Sequence, residues 1–284
     1  MFPNLGSQYK FIKEIGSGGT GVVNLAIDNH SGYQVAIKTL FDFHKEDAEI
    51  LNKFKIEANI YLLLEHPNIV SLKNFIIKDG SPHLVQEYIE GNTLEEYINT
   101  VTGPIPTEIA LAIFKEILSG INYAHKKHIP FEGYEEGVLH LDVKPSNILV
   151  SKGGDIKIID YGISQGNNEE RGEKIMGSPM YMAPEQLDIN KQLDTRTDIY
   201  SLGVLFHEMI TGSKPYPLDI SKDDLFRNII SNPLVRTNEI YPGADDRLQE
   251  IVDKATQKDP KNRYQSCNEM IEKVESLLVL TWEL

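Results

Sequence analysis

The chain has 284 residues, of which 40% are hydrophobic and 25% charged, as in an ordinary globular protein of one large or two small domains. A net charge of −14 makes nucleic acid and anionic membrane surfaces poor partners. Cys267 is the only cysteine, and the sequence has neither a signal peptide nor an apolar run of about 18 residues. Together these features predict a cytoplasmic protein, without a membrane segment, in a reducing compartment.

Residues 1–87 predict a small unit built mainly of strands. Alternating apolar residues and turn clusters indicate the strands, and apolar residues at helical spacing indicate one main helix. The elements expected in chain order are strands over 9–15, 21–27 and 33–40, a helix over 46–64, and strands over 69–77 and 82–87.

Residues 92–284 predict a larger, mainly helical unit, joined to the first by a hinge over 88–91. Residues 88–284 together have 20 Lys and Arg against 32 Asp and Glu, a net of −12, whereas residues 1–87 have 8 against 10. Such a surface attracts basic peptides, although a solvated acidic surface is the simpler interpretation. The clearest elements expected here are helices over 93–99, 106–125 and 198–211 and short strands over 148–150 and 156–159.

A glycine-rich run near the N-terminus predicts a loop that covers phosphate groups. Gly16, Gly18 and Gly21 lack a Cβ and allow backbone N–H groups to approach phosphate oxygens. The run leads into a strand and no Gly-Lys-Ser/Thr follows, which disfavours dinucleotide-binding and P-loop folds. An ordinary glycine hairpin is the alternative. Lys38, in an apolar stretch where a charge needs a partner, favours phosphate binding.

Two short runs predict phosphoryl transfer from ATP. Residues 140–147 have the sequence His-Leu-Asp-Val-Lys-Pro-Ser-Asn, and Asp-Tyr-Gly stands at 160–162. The reaction requires a carboxylate that orients the attacking hydroxyl and oxygen ligands that hold Mg²⁺ against the phosphates. Asp142 is therefore the predicted catalytic base, and Asn147 and Asp160 are the predicted ligands of Mg²⁺, with Mn²⁺ as a substitute. As isolated residues they would indicate only turns.

The ordered set of motifs resembles the eukaryotic-type (Hanks-type) Ser/Thr protein kinases, and most of all their bacterial members, over almost the whole chain. The further motifs are Val35-Ala-Ile-Lys38, Glu57 and Gly177-Ser-Pro-Met-Tyr-Met-Ala-Pro-Glu-Gln186. The resemblance implies an α+β, two-lobed protein kinase fold, with a small antiparallel-sheet N-lobe that carries one main helix and a larger helical C-lobe. It also implies transfer of the ATP γ-phosphate to Ser or Thr of protein substrates, with ATP in the cleft between the lobes.

The resemblance further implies roles for single residues. Lys38 would bridge the α- and β-phosphates and pair with Glu57, and Lys144 would neutralise the γ-phosphate in transit. Adenine would bond to the backbone at Glu87 and Ile89. The remaining cofactor-binding residues implied by the family are Gly16, Gly18, Gly21, Val23, Ala36 and Leu149.

Other family positions imply structural roles. Asp198 would anchor the catalytic loop, and Glu185 would form an ion pair with Arg263. His140 and Tyr161 would belong to a packed spine with two residues of the first unit, Tyr61 and Leu72.

The sequence departs from the family pattern at four places, and the first of them bears on control. Leu141 stands where many kinases have an Arg that pairs with a phosphorylated activation loop, and Ser164 is the only hydroxyl residue in 163–176. The sequence therefore predicts activity without activation-loop phosphorylation. Thr20 replaces an aromatic residue at the glycine-loop tip, and the 14 residues of 126–139 form an insertion, by default a tolerated surface loop. The fourth departure is Tyr161, in place of the usual Phe.

Two other functions compete with this interpretation. A pseudokinase, a binding module with the fold but without catalysis, would normally lack Lys38, Asp142 or Asp160. A small-molecule kinase would lack Lys144 and the Ala-Pro-Glu segment that ends at Glu185. The sequence has all of these residues, and it carries no signal for an oligomeric state.

Overall fold

The structure is a computed structural model, in which the chain divides into two compact units after Glu90. The assignment of 88–91 as a hinge remains a prediction. The structure describes residues 5–18, 21–41, 44, 47–130, 137–161, 165–166 and 177–282.

The first unit contains a five-stranded antiparallel sheet of order β1-β2-β3-β5-β4 and one long helix, α1. The fold class expected for this part is confirmed. The predicted fourth strand begins later than residue 69, because the N–H of Ile69 closes a turn on the carbonyl of His66 at 3.0 Å. The elements are β1 (Tyr9–Ser17), β2 (Gly21–Asp28), β3 (Gln34–Leu40), α1 (Ala48–Leu63), β4 (Leu72–Lys78) and β5 (Ser81–Glu87).

Alternation along the central strands supplies two cores, one for each face of this sheet. One face packs Ile37 and Val85 against Tyr9 and Leu5 near the start of the chain. The other packs Leu40 and Leu84 against Phe54 and Ala58 of α1. This second cluster fixes α1 on the sheet, because burying side chains of this size stabilises by about 1.5–3 kcal/mol each.

The second unit is mainly helical, as predicted, and α4 is its centre. Every residue from Thr197 to Thr211 is buried, so the rest of this unit surrounds the helix on all sides, and its few polar and charged side chains are buried with it. Asp194 caps its start, and Gly212, with φ of 66°, ends it. The helices are α2 (Leu94–Glu96), α3 (Thr107–Lys126), α4 (Thr195–Thr211), α5 (Lys222–Ser231), α6 (Thr237–Ile240), α7 (Asp246–Ala255) and α8 (Cys267–Trp282).

Short strands hold the loops of the second unit. The predicted hairpin after residue 147 is present and is extended to three strands by residues 91–93. The helix predicted over 93–99 is thus partly wrong: Thr93 ends a strand and caps α2, and a π-type turn, Tyr97–Thr102, follows. The strands are β6 (Gly91–Thr93), β7 (Val138–Leu139), β8 (Ile148–Ser151), β9 (Ile156–Ile158) and β10 (Gln165–Gly166), with β6-β8-β9 in one sheet and β10-β7 in another.

Candidate active site

In the first unit, the strand register brings the predicted cofactor residues onto one row. Gly16 pairs with Val23, and Val23 pairs in turn with Lys38. Residues that lie directly opposite share a face of the sheet, and Ala36 lies on the same face as Lys38 because it is two residues away. Four of the predicted residues therefore line one patch of the sheet.

Gly21 and Gly18 have different steric surroundings. A Cβ at Gly21 would lie 2.2 Å from the carbonyl oxygen of Thr39, so the packing of β2 on β3 itself requires glycine there. A Cβ at Gly18 would meet no atom of the described residues within 4 Å. Packing thus explains why residue 21 is a glycine, but it does not explain why residue 18 is one.

Lys38 and Glu57 form the predicted ion pair. The Nζ of Lys38 lies 2.8 Å from Oε1 and 3.1 Å from Oε2 of Glu57. The Glu57 side chain is 3% exposed and that of Lys38 15%, so the carboxylate depends on this lysine for its neutralisation. The pair joins β3 to α1.

In the second unit, α4 anchors the loop that contains Asp142. The N–H groups of His140 and Leu141 donate to Oδ2 and Oδ1 of Asp198, each at 2.8 Å. Leu141 has φ of 63°, a conformation that costs a non-glycine residue energy and persists only where surrounding contacts impose it. The predicted anchoring by Asp198 is present in the structure.

Asp198 also bonds to the buried His125 of α3. The Nε2 of His125 lies 2.7 Å from Oδ2 of Asp198, and its Nδ1 lies 3.7 Å from Sγ of Cys267. Burial alone would lower the pKa of His125, but the interactions with Cys267 and Asp198 outweigh it and raise that pKa. Burial would raise the pKa of Asp198, and the hydrogen bond from His125 helps to hold it below the usual value.

Both carboxylate oxygens of Asp142 are held by nearby groups. Oδ1 accepts a 2.8 Å bond from the N–H of Ser178. Oδ2 accepts from Nζ of Lys144 at 2.7 Å and from Nδ2 of Asn147 at 3.1 Å. Lys144 also donates to Oγ of Ser178 at 2.6 Å. The structure therefore brings Asp142, Lys144 and Asn147 together, as expected from the sequence, and adds Ser178.

The β8–β9 hairpin positions the proposed metal ligands: Asn147 lies just before it and Asp160 just after it. Asn147 immediately precedes β8, and its carbonyl accepts a 2.9 Å bond from the N–H of Ile159, next to Asp160. Asp160 has φ of 66°, a second imposed left-handed residue. Because Nδ2 of Asn147 donates to Asp142, the atom that Asn147 can offer to a cation is its amide oxygen, a ligand suited to Mg²⁺.

Leu141 lies in an apolar cluster with Leu139 and Leu193, where it is 5% exposed. Its carbonyl accepts a 3.1 Å bond from Nε2 of Gln186, whose Oε1 accepts from the N–H of Ala183. At Leu141 itself, the contacts with Leu193 and Gln186 are thus all with uncharged side chains.

Two further structural expectations concern packing. Arg263 is buried and donates to Oε1 and Oε2 of Glu185 at 2.6 and 2.8 Å, the predicted ion pair. The rings of His140 and Tyr161 pack at 4.6 Å between centroids, and both are buried. The continuation of this spine through Tyr61 and Leu72 stays a prediction.

Comparison with known proteins identifies the fold family. The family model for the protein kinase domain matches residues 9–274. The chain belongs to the protein kinase family. The two-lobed α+β fold and the resemblance to bacterial Ser/Thr protein kinases, both predicted from the motifs, are confirmed.

Proteins similar to this kinase occur in several bacteria. It is 34% identical over 276 residues to a probable serine/threonine-protein kinase, CPE1738, of Clostridium perfringens, covering 96% of this chain and 38% of the relative. It is 33% identical over 269 residues to serine/threonine-protein kinase PrkC of Bacillus subtilis (94% and 40%). It is 30% identical over 276 residues to PknB of Mycobacterium leprae (94% and 42%). The kinase thus spans about two-fifths of the length of these relatives.

Several contacts of this kinase could not be found from the motifs. The bonds from Ser178 to Asp142 and Lys144 join positions 36 and 34 residues apart, and no local pattern signals them. Cys267, which lies beside His125, is 142 residues distant from it in sequence.

Thr20, Ser164 and residues 131–136 of the insertion lie outside the described residues, so the predictions on them stay as stated. No helix in the described part of the kinase has the length and apolar character needed to cross a membrane.

Proposed function

We propose that this kinase transfers the γ-phosphate of ATP, with Mg²⁺, to Ser or Thr hydroxyls of protein substrates. The observation that carries the proposal is the arrangement around Asp142, whose carboxylate is oriented by Ser178, Lys144 and Asn147. The names of the relatives, which are serine/threonine-protein kinases, support the choice of acceptor. Protein substrates are its proposed partners. The single buried, unpaired cysteine supports a cytoplasmic location.

The nucleotide is proposed to bind through residues that the register aligns in the first unit. Lys38, held by Glu57, would contact the α- and β-phosphates. The N–H of Gly18 donates to the carbonyl of Gly21 at 2.9 Å, and the space that a Cβ would take at Gly18 is open among the described residues, which leaves room there for a phosphate. Adenine would use the backbone of Glu87 and Ile89; the N–H of Glu87 already donates to Ser71, so its carbonyl is the group offered.

The apolar contacts to adenine are assigned by family position. Val23 and Ala36 of the first unit and Leu149 of the second are half-buried, so each retains surface that a ligand could cover. Replacing any of them by a charged residue would weaken nucleotide binding, because the purine would meet an unpaired charge.

The metal is proposed to be held by the amide oxygen of Asn147 and the carboxylate of Asp160. Among the residues that the structure describes, no group of three or more His, Cys, Asp or Glu side chains is arranged to hold a metal ion by itself. The pair of Asn147 and Asp160 fits Mg²⁺, because this ion keeps water and phosphate oxygens as ligands and needs only one or two carboxylates from the protein. The bound ion would neutralise charge on the phosphates.

Asp142 is proposed to orient the substrate hydroxyl toward the γ-phosphorus and to accept its proton. The transition state of such transfers is largely dissociative, so positioning matters more than basicity. Three donors fix the carboxylate plane of Asp142. Lys144 has its ammonium 2.7 Å from Asp142, where it would offset negative charge on the phosphoryl group in flight.

We also propose that activity does not depend on phosphorylation of the activation loop. The apolar cluster of Leu139, Leu141 and Leu193 and the bond from Gln186 to Leu141 support this. These contacts need no phosphate, and a leucine cannot pair with one. In kinases with an Arg at this position, a phosphate on the loop supplies the corresponding link.

Phosphatase treatment tests this independence. Enzyme stripped of phosphate, verified by intact mass, is expected to retain its initial rate within about twofold, because the contacts of Leu141 remain. The matched variant Gln186→Leu, stripped in the same way, is expected to lose activity, since it removes the bond to the catalytic loop. Loss of most wild-type activity after dephosphorylation would disprove the independence.

The proposed function is tested by transfer of label from γ-labelled ATP to a generic protein, followed by acid hydrolysis and identification of the phosphoamino acid. Phosphoserine or phosphothreonine is the expected product. ATP binding without any transfer would instead support a pseudokinase. Label found only on added aminoglycosides or choline would support a small-molecule kinase.

A further inference from the structure

A lysine of the second unit, Lys214, lies between two carboxylates beside the catalytic loop. Its Nζ is 2.5 Å from Oε1 of Glu95 and 3.0 Å from Oε1 of Glu208. It also lies 3.2 Å from the hydroxyl of Tyr181, which donates to Oε2 of Glu208 at 2.5 Å. The Glu208 side chain is 1% exposed, that of Lys214 23% and that of Glu95 37%, so the cluster reaches the surface through the last two.

The fold places this cluster next to Asp142. Tyr181 ends the short turn that begins after Ser178, and Ser178 bonds to both Asp142 and Lys144. Burial raises the pKa of Tyr181, and the negative charges of Glu208, Glu95 and Asp142 add to that increase. Asp142 therefore lies within electrostatic range of the Tyr181 hydroxyl that Lys214 touches.

A peptide substrate must pass close to the cluster. Its hydroxyl has to come within about 2.6–3.2 Å of the Asp142 carboxylate. An extended chain advances by about 3.3–3.6 Å per residue. Ser178 bonds to Asp142 and is three residues before Tyr181, which Lys214 contacts, so the residues that flank the acceptor would approach Lys214 and Glu95, the partly exposed members of the cluster.

The charges of the cluster depend on the lysine. Burial alone would lower the pKa of Lys214, but the bonds to Glu95 and Glu208 outweigh burial and raise it, so the ammonium stays protonated. Burial raises the pKa of Glu208 although Tyr181 and Lys214 donate to it. Without Lys214, two carboxylates, one of them buried, would face each other with no cation among the described side chains that form ion pairs with them.

We infer that Lys214 sets the charge preference of the peptide site. Its ammonium neutralises the carboxylates of Glu95 and Glu208, so the enzyme can phosphorylate acceptors that have no basic residue beside the hydroxyl. This inference rests on the proposed function and refines it. The net charge of the second half suggested basic peptides as substrates. At this position, however, the enzyme supplies its own cation, Lys214. A basic residue of the peptide placed there would be repelled by the ammonium of Lys214.

The test compares two peptides that differ only in an Ala or an Arg two residues from the acceptor Ser. For the wild type, kcat/KM for the two peptides is expected to agree within roughly threefold. In Lys214→Met the ratio is expected to shift at least about tenfold toward the Arg peptide, because the peptide then supplies the missing cation. Lys214→Arg should keep the wild-type ratio.

The matched control is Lys254→Met. Lys254 also pairs with a glutamate, Glu269, at 2.5 Å and lies over a tyrosine ring, that of Tyr264. It belongs to the contact of α7 with the start of α8, away from the Asp142 contacts. Its replacement should leave the ratio unchanged.

The outcomes separate the inference from the function on which it rests. An unchanged ratio in folded Lys214→Met, or loss of activity toward both peptides in that variant, overturns the role of Lys214 alone. So does a wild type that prefers the Arg peptide by more than about tenfold. Failure of the wild type to phosphorylate either peptide or a generic protein would overturn the proposed function itself.

Discussion

At the scale of single residues, the site depends on buried charges that are all paired. His125, 7% exposed, contacts both Asp198 and Cys267, and Asp198 in turn holds two N–H groups of the catalytic loop. A buried ion is stable only when partners replace the water it has lost. The position of Asp142 is therefore coupled, through the backbone at 140–141, to the protonation of His125.

We predict a pH dependence of stability from this coupling. The pKa of His125 is raised from 6.5 to about 10 in the folded protein, because Cys267 and Asp198 outweigh the effect of burial. The folded state keeps its proton between these values while the unfolded state loses it. The stabilisation is thus full below the unfolded value and is lost as pH rises toward the folded one, by up to about 1.4 kcal/mol per pH unit.

Urea unfolding at several pH values between neutrality and mild alkalinity measures this slope. The variant His125→Gln has no group to titrate there, so its free energy of unfolding should fall less steeply with pH than that of the wild type. Parallel slopes for the two proteins would show that His125 is neutral in the folded state.

At the scale of elements, the sequence predicted most strands and helices because alternation and helical spacing are strong in them. It failed where tertiary contacts decide. Residues 91–93 become a strand because β8 lies beside them: a Cβ at Gly91 would be 2.0 Å from the carbonyl oxygen of Val150. The contacts of Ser178 and Gln186 escape prediction for the same reason, since each depends on a loop distant in sequence.

The ion pair of Glu185 with Arg263 links two such distant elements. Arg263 also donates to the carbonyls of Gln257 and Arg196, so its removal would take a two-point bond from the buried Glu185 carboxylate and a donor from each of these carbonyls. Arg263→Ala is expected to lower the free energy of unfolding by about 3–5 kcal/mol.

The control for this measurement is Arg227→Ala. Arg227 pairs with Asp224 on the surface of α5, where the two side chains are 71% and 53% exposed. Its loss should cost less than about 1 kcal/mol, because water solvates both charges. Equal costs in the two variants would contradict a structural role for the buried pair.

At the scale of the whole molecule, the ordered motifs sufficed to predict the family, because each marks a position that phosphoryl transfer requires. The strand register in the first unit and the hydrogen bonds of Asp198 in the second each position the predicted residues of their own unit. What the motifs could not supply was the set of supporting contacts, such as Lys214 between Glu95 and Glu208. These come from residues whose types are common on any protein surface.

The central claim is that Asp142 carries catalysis, and Asp142→Asn tests it most directly. An amide keeps the shape of the side chain and its bond from Ser178, but it loses the charge and the ability to take a proton. Peptide phosphorylation should fall by about 10²–10⁴-fold. The ATP dissociation constant, measured in the same preparation, should stay within about threefold. A variant that phosphorylates within about tenfold of the wild-type rate would contradict the account.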